Sequence, residues 1–199
     1  MRKRHEIAFT LVELLVVISI IALLSAMVVG LSRHATTSSK RAHLSGQMHG
    51  IQVGIDSYHN DKGFYPPDNA FTNLVDRAAT NQLFYELVGA TYYDSTNTFV
   101  LPVKGIFITR AQYLAAFGRE GIVNAVGGES KNFKTDIKDQ EYAQLPNGVY
   151  ALTVPYELLP GQKNTWRYIS TGPTNNPASY DLWAEVKLGD KTMVVESKP

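Results

Sequence analysis

Apolar residues form one segment near the start of the chain and become periodic after it. Positions 8–31 are apolar apart from a glycine and four polar residues, Thr10, Glu13, Ser19 and Ser25. At about 1.5 Å per residue, such a segment is long enough to span a bilayer core of roughly 30 Å. We therefore expect residues 9–31 to form a transmembrane helix.

Helical spacing continues beyond this segment, although the sequence becomes more polar. The apolar positions follow each other at intervals of three or four residues, at Leu44, Met48, Ile51, Ile55 and Tyr58. This pattern predicts a helix with one apolar stripe over residues 32–62, packed on the protein's own domain. Because no proline interrupts residues 1–65, we expect one helix from about Phe9 to about Asn60. Gly30 would weaken it by about 1 kcal/mol, and Gly63 is placed to cap it.

The rest of the chain reads as short elements joined by turns. In a variable region, residues 63–147, two prolines follow Tyr65 and predict an extended segment. Here the pattern favours helices at 81–88 and 110–117, strands at 99–103 and 106–109, and a loop at 129–141. Strands are predicted within residues 148–199 at 150–154, 166–170, 180–186 and 192–197, with a hairpin turn at 187–191. The expected fold class is α+β, a long helix on a small antiparallel C-terminal sheet.

Composition and charge narrow the function classes. The chain has 19 basic and 18 acidic residues, so no basic excess points to nucleic acid as a partner. It has no cysteine, which excludes disulfides and thiolate metal sites. The five histidines form no metal-binding motif, and no nucleophile elbow is present. We therefore expect a protein that is not an enzyme, with the tryptophans Trp166 and Trp183 in its core.

Basic residues at the start orient the apolar segment. Arg2, Lys3 and Arg4 precede it, and the positive-inside rule places them in the cytoplasm and the rest of the chain outside. A cleaved signal peptide is one alternative, although the apolar segment exceeds the usual length of roughly 7–15 residues and contains an acid. An uncleaved anchor for some other outer domain is a second alternative.

The acid in the apolar segment is Glu13. A charged group costs roughly 2.5–3.5 kcal/mol at the centre of a bilayer, and Glu13 lies near one membrane face. An unpaired acid is a poor choice for a simple anchor. We therefore expect Glu13 to serve a partner.

The residues around Glu13 carry a family resemblance. The sequence Ala8-Phe9-Thr10-Leu11-Val12-Glu13, with its basic leader, resembles the processing site of type IV pilin-like proteins. The resemblance covers residues 1–31 and implies that prepilin peptidase cleaves between Ala8 and Phe9, which removes residues 1–8, and that Phe9 is N-methylated. Ala8 departs from the usual glycine. The resemblance further implies a homopolymer in which Glu13 pairs with the terminal amine of Phe9 in a neighbouring subunit.

Two further segments suggest a particular filament. Gly63–Pro66 and Gly172–Asp181 resemble elements of the major (G-type) pseudopilin of type II secretion, although residues 68–147 look like an insertion. This implies a single-pass protein of the bacterial inner membrane with a periplasmic C-terminal domain, later part of a periplasmic pseudopilus. Minor pseudopilins and the inner-membrane assembly platform would be partners. A pilin of a surface or DNA-uptake pilus and a membrane-anchored binding domain that never polymerises are the alternatives.

The segment Gly172–Asp181 resembles a loop that binds calcium in members of the pseudopilin family. Calcium takes six to eight oxygen ligands, usually with several carboxylates. Here Thr174, Asn175, Asn176 and Ser179 stand where acids are common, which leaves Asp181 as the candidate ligand. An ordinary turn between strands is the alternative, and no other cofactor is expected.

Overall fold

One long helix dominates the first third of the chain. The computed structural model describes residues 10–71, 77–126, 130–188 and 191–197. Helix α1 runs from Leu11 to Lys62 and remains helical through Gly30. It ends as predicted, because Gly63 has φ +80° and its N–H donates to the carbonyl of His59 at 2.8 Å. The chain divides into two compact units, residues 1–42 and residues 43–199.

The predicted apolar stripe of α1 lies in the second unit and is buried. Leu44, Ile51, Ile55 and Tyr58 are inaccessible to solvent, and Met48 packs against them half-buried. On the same part of the helix, Gly54 allows a close approach of the chain. A Cβ at this position would lie 3.2 Å from the carbonyl oxygen of Phe133. The stripe is therefore confirmed as the contribution of α1 to the core.

Short helices and strands make up the rest of the second unit. The helices are α2 (Leu83–Val88) and α3 (Arg110–Phe117), with 3-10 turns at Asp94–Thr96 and Val123–Ala125. The strands are β1 (Thr91–Tyr93), β2 (Thr98–Val100), β3 (Phe107–Thr109), β4 (Tyr142–Gln144), β5 (Tyr150–Val154), β6 (Asn164–Thr165), β7 (Arg167–Ile169), β8 (Asp181–Leu188) and β9 (Lys191–Glu196). The predicted α+β class is confirmed.

The strands pair as three small antiparallel sheets, in the orders β1-β2-β3, β4-β5-β6 and β7-β8-β9. The predicted antiparallel C-terminal sheet is present as β7-β8-β9, but β5, which was expected in it, belongs to another sheet. Strand β5 pairs with β4, where Tyr142 lies opposite Leu152, and β4 belongs to the preceding variable region. Alternation of side chains identifies a strand but does not identify its partner. The predicted hairpin between β8 and β9 extends to the pair Leu188 and Lys191, and residues 189–190 lie outside the described residues.

The variable region completes the core of the second unit. Phe84, Tyr85, Tyr113 and Phe117 are fully buried in the same cluster as the stripe of α1. Trp166 is also fully buried there, as predicted, whereas Trp183 is only half-buried. The predicted loop is confirmed for residues 130–141, while residues 127–129 lie outside the described ones. No sequence pattern predicted β1, β4 and β6, which have only two or three residues.

Candidate assembly site and the loops that support the folded unit

Glu13 lies in the first turn of α1 and caps it. Its Oε2 accepts the backbone N–H of Thr10 at 2.9 Å and the Thr10 hydroxyl at 2.8 Å. The N–H of Glu13 donates to Thr10 Oγ1 at 3.2 Å, which completes a reciprocal capping box. Glu13 thus has a partner within its own chain. The signature that could have revealed Thr10 is a threonine three residues before a glutamate at the start of an apolar helix.

The other oxygen of this carboxylate, Oε1, accepts no hydrogen bond among the described residues. A carboxylate offers about four lone-pair sites, so the capping box leaves capacity for a further donor. The geometry is therefore compatible with the predicted pairing between Glu13 and an amine. The predicted residues Arg2, Lys3, Arg4, Ala8 and Phe9 lie outside the described residues, so their roles stay predictions.

The start of α1 exposes apolar side chains all round the helix. Between Leu11 and Met27, the large apolar side chains are between 46% and 79% exposed. A helix that is apolar on every side is normally buried by other chains or by lipid. The described apolar side chains extend over about 25 Å. Among the residues that the structure describes, no helix combines the length and the apolar character of a membrane span. The predicted span at residues 9–31 stays a prediction.

The predicted calcium loop is held by its own carboxylate. Asp181 Oδ2 accepts the backbone N–H groups of Thr174 and Asn175 at 2.7 and 2.9 Å. Oδ1 accepts the N–H of Asn176 at 2.9 Å and its side-chain amide at 3.2 Å. Because both oxygens face N–H donors, a cation there would meet positive partial charges. Asp181 therefore does not fit the role of calcium ligand, and the loop fits the alternative of an ordinary turn.

In the described part of the chain, no three or more His, Asp or Glu side chains are grouped so that they could hold a metal ion. Four histidines lie on α1, and the three of them whose side chains are described are engaged in packing or exposed. His59 stacks on Tyr65 with ring centroids 4.2 Å apart, and His43 contacts the edge of Tyr156. His49 is exposed.

A second buried carboxylate, Asp68, ties the segment after α1 to the C-terminal sheet. It accepts Arg77 Nη2 at 2.9 Å, the N–H of Thr171 at 3.0 Å and the Thr171 hydroxyl at 2.8 Å. The backbone N–H of Ser170 and the guanidinium of Arg119 also face it. No sequence pattern predicted this role of Asp68. Its position directly after two prolines was the only available signal.

Comparisons with known proteins agree with the geometry at the start of α1. Residues 3–29 match the model of the prokaryotic N-terminal methylation motif. The chain is also similar to the fimbrial protein EcpC of Eikenella corrodens, with 27% identity over 143 residues, which cover 72% of this chain and 83% of that protein. No solved structure matches the chain.

The motif and the fimbrial relative support a type IV pilin-like protein. The long helix followed by small antiparallel sheets is the matching arrangement. The motif also implies a membrane-anchored amino terminus and processing by prepilin peptidase.

Proposed function

We propose that this chain is a structural subunit of a filament, without enzymatic activity, and that the filament is a type II secretion pseudopilus. The observation that carries the proposal is the exposed apolar surface of residues 11–27, which begins at the capped carboxylate of Glu13 inside the methylation motif. Apolar surface of this extent needs lipid or other helices to cover it. Copies of the same helix supply such cover.

In this proposal, cleavage between Ala8 and Phe9 creates an amine that pairs with Glu13 of a neighbouring subunit. The pairing offsets the desolvation of both charges, and a buried charge left alone costs roughly 3–5 kcal/mol. The pairing therefore sets the register between subunits. The subunit waits in the bacterial inner membrane with its second unit in the periplasm, and an assembly platform and minor pseudopilins act in its polymerisation.

A surface type IV pilus is the second candidate, and the fimbrial relative favours it. The arrangement around Asp181 also favours it, since this loop does not fit the calcium site that the resemblance to major pseudopilins implies. Deletion of the gene distinguishes the two fibres. Loss of protein secretion with surface fibres intact supports the pseudopilus, whereas loss of surface fibres with secretion intact supports the pilus.

Mass spectrometry of the protein extracted from membranes tests the filament proposal itself. We expect an N-methylated Phe9 at the terminus. An intact Met1 or a cut near Ser32 would overturn the proposal. Unimpaired fibres from a Glu13→Ala variant would refute the pairing of Glu13. A correctly processed protein that forms no fibre under any condition would favour the anchored binding domain.

A further inference from the structure

Glu86 on α2 is a fully buried carboxylate at the meeting point of four elements. Its Oε1 accepts the backbone N–H of Val123 at 2.8 Å and the Tyr113 hydroxyl at 3.4 Å. Its Oε2 accepts the backbone N–H of Asn124 at 2.9 Å and the Tyr58 hydroxyl at 3.2 Å. Each oxygen therefore has one backbone donor from the 3-10 turn at 123–125 and one tyrosine, from α3 or from α1.

No cation pairs with Glu86 among the described residues. Arg119, which follows α3, is directed at Asp68, and Lys131 pairs with Asp61 at the end of α1. The remaining titratable groups around the carboxylate are tyrosines. Tyr58 and Tyr113 face it directly, and Tyr85 contacts the ring of Tyr113. A negative charge here is held by hydrogen bonds alone, which is costly in a buried site.

Burial dominates the titration of this group. It raises the pKa of Glu86 to about 7, against the opposing effect of the hydrogen bonds from Val123 and Asn124. Burial and the neighbouring carboxylate also raise the pKa values of Tyr58 and Tyr113. Both hydroxyls therefore keep their protons at neutral pH, and the carboxyl group is the one that titrates.

The surrounding groups accommodate both protonation states. A backbone N–H can only donate, but a tyrosine hydroxyl can turn and accept. When one oxygen of Glu86 is protonated, its O–H can donate a hydrogen bond to the hydroxyl oxygen of the adjacent tyrosine, while the backbone N–H groups keep their hydrogen bonds to the carboxyl group. An amide would not fit equally well, because its NH₂ group would face a backbone N–H.

We propose that Glu86, with Tyr58 and Tyr113, forms a proton-binding site that joins the C-terminal end of α1 to the variable region. The folded state binds the proton more tightly than the unfolded state. The contribution of this site to stability is therefore fully present below the ordinary value of 4.5 and is lost as the pH rises through about 7. The folded unit should accordingly be most stable in a mildly acidic surrounding.

A ¹³C NMR titration of the full chain in detergent micelles tests the proposal directly. The side-chain carboxyl signal of Glu86, assigned through its own backbone, should titrate with a midpoint near 7. Tyr113→Phe removes one donor to the charged form and should move this midpoint upward. A midpoint near 4.5 that does not respond to Tyr113→Phe would overturn the proposal.

Thermal unfolding supplies a second readout. The Tm of the native chain should fall by on the order of 5–10 °C between pH 5 and pH 8. Since histidines in general titrate in the same interval, the comparison with Glu86→Gln isolates the contribution of Glu86. This variant should be less stable but should have a flatter pH profile. Glu196→Gln, which removes an exposed carboxylate of β9, should keep the native profile, and equal profiles in all three proteins would contradict the proposal.

Discussion

The two halves of α1 are made from similar apolar residues, but their side chains are covered in different ways. In residues 11–27, the large apolar side chains remain about half exposed or more within the single chain. In residues 44–58, the side chains of the stripe are buried by the rest of the second unit apart from the half-buried Met48, and Val53, which lies off the stripe, is 50% exposed. The first half therefore depends on a partner outside the chain, whereas the second half is complete within it.

Two carboxylates, Glu13 in the first unit and Asp68 in the second, differ in the same way. Glu13 is exposed, is bonded only to Thr10 among the described residues and keeps an oxygen available. Asp68 is buried and saturated by donors from several segments. We interpret an exposed carboxylate with an oxygen still available as one that can bind another subunit. A buried carboxylate whose oxygens are saturated by hydrogen bonds is one that stabilises the fold. Three pairs of substitutions and one addition of calcium test this difference, in decreasing order of expected effect.

Truncation of one isoleucine in each half should separate folding from assembly. Ile55→Ala leaves a cavity in a fully buried site and should lower the free energy of unfolding by about 2–5 kcal/mol. Ile18→Ala, at an exposed site, should change it by less than about 0.5 kcal/mol but should reduce the yield of fibres. Chemical denaturation and electron microscopy provide the measurements. Comparable losses of stability in the two variants would contradict the comparison.

Neutralisation of one carboxylate in each region gives the next largest effect. Asp68→Asn weakens charge-assisted bonds to Arg77 and Thr171 and should cost about 2–3 kcal/mol of stability. Glu13→Gln should leave the unfolding of the second unit unchanged and abolish fibres. The pair is measured by denaturation of both variants and by fibre yield. An Asp68→Asn protein as stable as the native chain would show that this network is dispensable.

Two glycines of α1 give a smaller, matched effect. A Cβ at Gly46 meets nothing within 4 Å, so Gly46→Ala should stabilise the helix by about 0.5–1 kcal/mol. A Cβ at Gly54 would lie 3.2 Å from a backbone carbonyl oxygen, so Gly54→Ala should be destabilising by about 1 kcal/mol. The measurement is the difference in unfolding free energy between the two alanine variants. Stabilisation by both would indicate that the chain near Phe133 yields readily.

Calcium should have the smallest effect. Because Asp181 already holds its loop through N–H donors, neither calcium nor EDTA should shift the Tm of the native chain. Asp181→Ala should lower the Tm equally in both conditions, which serves as the control for the importance of the loop. A rise in Tm with calcium that disappears in Asp181→Ala would restore the metal site.

Much of the local structure was accessible from sequence patterns. The interval of three and four residues predicted the stripe of α1, and α3 and β5 were predicted with their observed bounds. Three of the strands with two or three residues, β1, β4 and β6, were not predicted, because periodicity needs a longer run to be recognised. The pairing of β4 with β5 was not predicted, although the two strands form a hairpin across a turn at residues 145–149, because β4 is only three residues long.

The candidate site was accessible from sequence to a different degree. Glu13 could be identified from the sequence because an acid in an apolar segment is costly. Residues 3–29 around it match the prokaryotic N-terminal methylation motif. Its partner Thr10 was overlooked, although the capping signature was present. Asp68 lacks such a signal. Glu86 stands among apolar residues in Leu83–Val88, but in so short a run an acid is ordinarily a surface residue.

The order of residues by itself determined the long helix, its apolar first half, its buried stripe and the processing motif. These features depend on neighbours within a few positions, where helical geometry is set by local spacing. Only the tertiary structure decided that the variable region completes the core, that Asp181 closes its own loop and that Glu86 is buried with no cation paired to it in the described part of the chain. The completed core and the surroundings of Glu86 depend on contacts between distant segments, and the loop of Asp181 depends on how its backbone N–H groups are turned. Burial of a charge is a property of the folded surroundings and not of the residue.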